Sequence, residues 1–151
     1  VEEGLIKNIG VSNFSVYSLK EAQSYSKNRI VANQVHYNLI FREPEAELLK
    51  YCQENDVLLV AWRPLELGKL ANAGTAQLVD ASIRNDKTHA QVAINYLTGQ
   101  ENVVTIFKSS DERHILEDLG GIGWKLADEE MKDLKENFGT IIEQSDVIPL
   151  G

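Results

Sequence analysis

Polar and aromatic side chains stand at four places where an apolar strand is predicted to end, and their types suit the recognition of a polar ligand. They are Ser12 and Asn13 in GVSNF at 10–14, Gln34 in the NQ pair at 33–34, Trp62 and Arg63 in AWRPL at 61–65, and Lys108, Ser109 and Ser110 in IFKSS at 106–110. In folds built from strand–helix units, ligand contacts gather at the carboxyl ends of strands. Lys108 and the two hydroxyls after it, placed where a helix begins, combine a cation with free backbone N–H groups and form a suitable anion site. Gln34 occupies a strand position where an apolar residue is the default. A buried amide left unsatisfied costs about 1–3 kcal/mol, so a hydrogen-bond partner is expected for it. Each of these residues also has a plainer reading. Ser12 and Asn13 suit a simple turn into a helix, Gln34 a satisfied polar position inside the fold and Trp62 a core position; farther on, His114 and Glu117 suit an exposed helix face. Tyr37 and Lys69 are acid–base types near the same rim, but no spacing pairs them. GxGxxG, P-loop, CxxC and HExxH patterns are absent, and no metal-ligand set is implied.

The elements that must position these groups are legible as alternating strands and helices. Apolar runs predict strands at 6–11, 30–35, 57–62 and 103–107, the last two almost unbroken, as expected of parallel strands covered on both faces. Helical periodicity places Leu48, Leu49 and Cys52 on one face, then Ala90, Ala93, Ile94 and Leu97, then Ile115, Leu119 and Ile122. Ser15 is placed to cap a helix after the first strand, Pro44 sits where a helix would begin, and a last helix over 128–138 carries Met131, Leu134 and Phe138 on one side. The longest irregular stretch, 63–74, is a candidate active-site loop. VEEG at 1–4 reads as the end of a helix with no cap before it, which favours a chain that starts inside a longer protein. Alternation of this kind implies a parallel sheet with right-handed crossovers.

Taken in order, the four motifs resemble the aldo-keto reductase family, over residues 5–138 and in the C-terminal half of its barrel, strands five to eight. The resemblance implies an α/β fold that is half of a TIM (β/α)8 barrel, four parallel strands with alternating helices in a single domain over 1–151. It implies NADP(H)-dependent reduction of aldehydes or ketones, with NAD as a possible cofactor. Ser12, Asn13 and Gln34 then hydrogen-bond the nicotinamide carboxamide, and Trp62 takes the place of the aromatic that stacks on the nicotinamide ring. Arg63, Pro64 and Leu65, continued by Gly68 and Lys69, match the loop that approaches the pyrophosphate. Lys108, Ser109 and Ser110 match the 2′-phosphate site, although Phe107 stands where the family usually has Pro. His114 falls where the family often has Arg, a weaker phosphate partner than a guanidinium, with Arg113 beside it as a partial substitute. Glu117 and Asp118 take the positions that hydrogen-bond the adenine amine. The family's catalytic Asp, Tyr, Lys and His come from strands that would precede Val1, so no catalytic residue is carried over and the chain is expected to be catalytically incomplete.

Composition bounds the partners. A length of 151 residues falls well short of the roughly 250 that a complete eight-stranded barrel needs. A net charge of −8, from 23 acids spread along the chain, argues against a nucleic-acid surface or an anionic membrane. Cys52 is the only cysteine, so an intrachain disulfide is impossible, and a cytoplasmic location is expected. Four strands alone would leave two unpaired edges and a bare interior face. The expected cover is the missing N-terminal half-barrel or a second copy of the chain, as a dimer. Three readings follow: a reductase needing its other half, a non-catalytic nucleotide-binding module, and a structural half-barrel.

Overall fold

The computed structural model describes residues 1–72, 75–139, 142 and 144–151. Its centre is one sheet of four parallel strands in sequential order, β1 (Ile9–Ser12), β2 (Ile30–His36), β3 (Leu58–Trp62) and β4 (Val103–Ile106). Helices fill the crossovers, α1 (Val16–Tyr25), α2 (Leu48–Glu54), α3 (Lys69–Asn72), α4 (Ala76–Asn85) and α5 (His89–Thr98), and two more follow the last strand, α6 (Glu112–Leu119) and α7 (Asp128–Asn137). No helix among the described residues is long and apolar enough to cross a membrane.

The strands pair in register, Ser12 beside Gln34, Gln34 beside Val60, and Val60 beside Val104. Their side chains alternate between two unlike faces. One face is closed: Val35, Leu59 and Ala61 have no exposure and join Leu19, Leu48, Cys52, Val92 and Leu97 in the core. The other is open, with Leu58, Val104 and Ile106 exposed by 38%, 39% and 45%. The near-continuous apolar runs of β3 and β4 therefore do not have cover on both faces within this chain. Half of each run packs on helices and half faces outward.

Local signals explain most boundaries. The Ser15 side chain accepts from the Ser18 N–H at the start of α1, and Thr75 caps α4 in the same way. Thr88 and Gln91 form a reciprocal capping box at α5, whose Ala90, Ala93, Ile94 and Leu97 face is buried as its periodicity predicts. Leu48, Leu49 and Cys52 of α2 are buried too, and α7 buries Leu134 with Phe138 just beyond its end.

Several expectations are corrected. β1 starts at Ile9 rather than residue 6, because its partner begins at Ile30, while Leu5 and Ile6 are exposed by 82% and 52%. Residues 1–4 form a turn closed by the Gly4 N–H on the Val1 carbonyl, 2.9 Å, not the end of a helix. Pro44 heads a short 3-10 turn, Glu43–Glu45, and α2 begins only at Leu48. The stretch 63–74 is not irregular throughout, since it holds α3; residues 73 and 74 lie outside the described residues. The apolar side chains of α6 and of the turn after it do not pack inward, with Ile115, Leu119 and Ile122 exposed by 37%, 49% and 55%. Instead α6 buries Asp118, and the turn after it presses against α5. There a Cβ on Gly121 would meet Ile94 Cγ2 at 2.7 Å.

Candidate functional site

At the carboxyl end of β1 the chain turns through Asn13, whose φ of 60° is in the left-handed region that Asn tolerates. The turn is pinned to β2. Ser12 Oγ donates to the Gln34 carbonyl at 2.9 Å, and the Asn13 N–H donates to the same oxygen at 2.9 Å. Buried Asn33 holds the following residue, donating to the Phe14 carbonyl at 2.8 Å. Asn13 Nδ2 donates to Ser12 Oγ at 3.1 Å, and Trp62 Nε1 donates to Asn13 Oδ1 at 3.3 Å. Ser12, Asn13 and Trp62 are thus joined in one small network. The Gln34 side chain stands on the open face, half-buried, and makes no hydrogen bond among the described residues. The partner expected for it is missing because water reaches the amide there.

Trp62 is held from behind by a group that the sequence reading passed over. Its ring stacks on His36, centroids 4.2 Å apart and planes 9° apart, and His36 stacks in turn on Phe41 at 4.3 Å. His36 is 3% exposed and Glu66 2%. His36 Nε2 lies 2.9 Å from Glu66 Oε2, and Nδ1 lies 2.8 Å from Ser145 Oγ. Ser145 Oγ already accepts from the N–H groups of Val147 and Ile148, so its hydroxyl hydrogen is free for Nδ1. In the neutral ring the proton then sits on Nε2 and is donated to Glu66. Asn38 Nδ2 donates to Glu66 Oε2 at 3.0 Å and to the Arg63 carbonyl at 2.8 Å. One signal existed in the sequence: a His two residues after Gln34, hence on the same side of the strand. Its partners lie 30 and 109 residues away, and nothing local announces them.

The loop after β3 is wound tightly around this anchor. Arg63, Glu66 and Leu67 have φ of 57°, 45° and 54°, and Gly68 has 86°. A leucine in the left-handed region is strained, by of order 1–3 kcal/mol, and such strain needs surrounding contacts to hold it. Buried Glu66 supplies them here. The Arg63 guanidinium carbon lies 5.4 Å from the Trp62 ring centroid.

Trp62, Arg63, Leu65, Lys108, Ser109, His114, Glu117 and Asp118 line one cavity of about 570 Å³ between the ends of β3 and β4 and one side of α6. Ser12, Asn13 and Gln34 are not in its lining, and neither are Lys69 and Ser110, both exposed. Asp111 caps α6, accepting from the Arg113 N–H at 2.9 Å. Its carboxylate also takes the Arg113 guanidinium at 2.7 and 3.2 Å. Arg113 is therefore engaged outside the cavity, not beside His114 as a second cation. Burial, then the neighbouring Glu117, push the Asp118 carboxyl above its ordinary range, with His114 opposing.

Of the two acid–base types near the rim, Lys69 is exposed and Tyr37 is sequestered. Tyr37 has no exposure and donates to Glu45 Oε1 at 2.7 Å, an oxygen that Tyr96 also reaches at 2.6 Å. Burial, then Tyr96 and Glu45, raise the Tyr37 phenol well above its usual value, so it is no accessible proton donor. No cluster of three or more His, Cys, Asp or Glu that could hold a metal occurs among the described residues.

Comparison with known proteins places this arrangement. Residues 1–137 match the Aldo/keto reductase family. Aldose reductase B of Dictyostelium discoideum is 36% identical over 132 residues, 87% of this chain and 41% of that protein. Glyoxal reductase of Bacillus subtilis (strain 168) is 34% identical over 130 residues, 86% of this chain and 45% of its own length. Among solved structures, a thermostable aldo-keto reductase in complex with the inhibitor epalrestat superposes with a TM-score of 0.83 at 41% identity. That match covers 89% of this chain and 49% of the other. The chain spans under half the length of these curated relatives.

Proposed function

The chain belongs to the aldo/keto reductase family of oxidoreductases, and on that premise we propose that it forms the nicotinamide-nucleotide cradle of an NADP(H)-dependent reductase of aldehydes or ketones. The observation that carries the reading is the single cavity in which an aromatic platform, a lysine, a hydroxyl and two carboxylates converge. A structural neighbour at TM-score 0.76 and 28% identity is an aldo-keto reductase complexed with NADPH, over 88% of this chain and 42% of that one.

The donor set fits such a cofactor. Lys108 and Ser109, beside the amino end of α6, suit a 2′-phosphate, and Glu117 and Asp118 suit an exocyclic amine. Ser12, Asn13 and Gln34 offer hydroxyl and amide partners for a carboxamide. Because His36 occupies one face of Trp62 and the Arg63 guanidinium lies over the ring at 5.4 Å, a nicotinamide would take the face away from His36 with Arg63 displaced or drawn to the ring edge. The left-handed turn at 63–68 brings backbone towards a pyrophosphate, with Lys69 at its edge. Bound NADPH would supply the hydride for carbonyl reduction. The part of these residues is to bind and orient: Trp62 fixes which ring face is presented, and the Asn13 turn fixes rotation about the ring axis. NADPH is the preferred nucleotide, with NADH possible because His114 is a weaker phosphate partner than arginine.

The chain corresponds in this reading to strands five to eight of a (β/α)8 barrel. The catalytic acid and its partners then lie outside it, and the open face of Leu58, Val104 and Ile106 is completed by a complementary half of the same fold. Matches spanning under half of each relative support that cover. The open face also favours a second reading, a dimer of this chain. A stable interface of this kind buries on the order of 2,000 Å² or more.

Titration with NADPH tests the cradle. Trp62 fluorescence should be quenched saturably, and Trp62→Leu should remove most of the signal, with Trp124 as background. A half-site lacking the opposite wall should bind near the millimolar range, roughly −4 kcal/mol. Absence of any saturable change up to the solubility limit defeats the reading.

A further inference from the structure

Resting on the cradle reading above, we infer that the buried His36–Glu66 pair is a positioning device that sets the Trp62 ring plane and the 63–68 loop together. The two residues touch both parts of the proposed site. His36 covers one face of Trp62 at 4.2 Å and is itself backed by Phe41. Its Nε2 meets Glu66 at 2.9 Å, and Glu66 sits inside the left-handed turn that it must hold. Asn38 closes the circuit, bonding Glu66 Oε2 and the Arg63 carbonyl at 3.0 and 2.8 Å. A buried imidazole, carboxylate and amide bonded to one another, to Ser145 and to nearby backbone are held in one arrangement, since displacing any member strands a polar group away from water. That fixes the platform before ligand arrives. The device does not reach the other end of the cavity: no hydrogen bond or ring stacking joins His36 or Glu66 to Lys108, Ser109 or His114 among the described residues. Tightness at the ring end and independence at the phosphate end are therefore separable.

The experiment uses the full chain carrying Trp124→Phe, so that Trp62 is the only tryptophan. Near-ultraviolet circular dichroism reads the immobilisation of its ring, and calorimetry reads the binding of NADPH and of adenosine 2′,5′-bisphosphate. Glu66→Ala should reduce the Trp62 band by more than about half with the far-ultraviolet spectrum kept. It should weaken NADPH about tenfold through lost preorganisation and leave the bisphosphate within about twofold. Glu66→Gln, whose amide oxygen can still accept from His36, should restore both band and affinity. If Glu66→Ala does not fold, Asn38→Leu is the substitute and should loosen the loop in the same sense. A Trp62 band unchanged in Glu66→Ala overturns the proposal. So does equal loss of NADPH and bisphosphate, which marks a general fold defect. If the starting protein binds neither ligand, the cradle reading fails, and the spectroscopic arm still decides whether the pair positions Trp62.

Discussion

The two faces of the sheet are made by the same four strands and could hardly differ more. On one, Val35, Leu59 and Ala61 are sealed beneath helices; on the other, Leu58, Val104 and Ile106 stand a third to a half exposed beside Gln34. Neighbouring residues in sequence, of like hydrophobicity, end in opposite environments because β-strand side chains alternate. Hydrophobicity shows that a position prefers cover; only the packed structure shows whether this chain provides it. The closed face makes the fold, while the open face and the rim above it are available for partners.

The sharpest way to break that contrast is to make matched deletions. Leu59→Ala should cost about 2–5 kcal/mol, as expected for truncation inside a packed core. Val104→Ala in the free chain should cost under about 1 kcal/mol, because its neighbours are partly water. Urea denaturation of both variants measures the difference. Equal costs would mean that the open face is covered in solution.

Charge sharpens the same point. Val104→Lys should leave the helices and the closed face intact while abolishing any self-association, since a lysine cannot be buried in an apolar interface without a partner. Light scattering at micromolar concentration, read beside far-ultraviolet dichroism, gives the result. Loss of fold on this substitution would show that Val104 belongs to the core.

At the rim the expected effects are smaller. Lys108→Ala should weaken NADPH about tenfold, near 1.4 kcal/mol, and NADH much less, because in the proposed cradle the ammonium would serve the extra phosphate. Comparable losses for the two nucleotides would move the phosphate site elsewhere.

The smallest effect concerns Asp118. Its folded pKa is raised by burial and by Glu117. Its contribution is thus fully present below the ordinary aspartate value of 3.8 and is lost as pH rises through the folded value. Asp118→Asn should gain stability relative to the parent as pH rises from 3 to 7. A parent-to-variant difference independent of pH would contradict this. Cys52 offers a parallel check on the closed face: burial pushes its thiol up to about 11, so thiol reagents should be slow until the protein unfolds.

Much of the fold was legible because it is written in local terms. Ser15 and the Ala90, Ala93, Ile94, Leu97 face each act within a few residues, and the strands of a parallel sheet read as apolar runs. The failures share a cause. β1 begins at Ile9 because β2 begins at Ile30, and α6 leaves Ile115 and Leu119 outward because α5 meets it through Gln91 and Asn95 bonds to the Glu117 and Gly121 carbonyls and through the close approach of Gly121 to Ile94. Both depend on distant partners. The candidate site divides in the same way. The polar ends of the strands were found from motifs, whereas the His36–Glu66–Ser145 cluster behind them needs strand register and a returning tail before it exists. Arg113 is absent from the cavity lining, its guanidinium held by Asp111 two residues away.

Amide hydrogen exchange with and without millimolar NADPH tests most directly whether the rim above the open face is the ligand site. Exchange should slow in residues 12–14, 63–69 and 106–112, with the amino ends of the strands, at 28–31 and 56–58, unchanged. Protection confined to α1 and the 147–151 tail, or no protection anywhere, would contradict that placement.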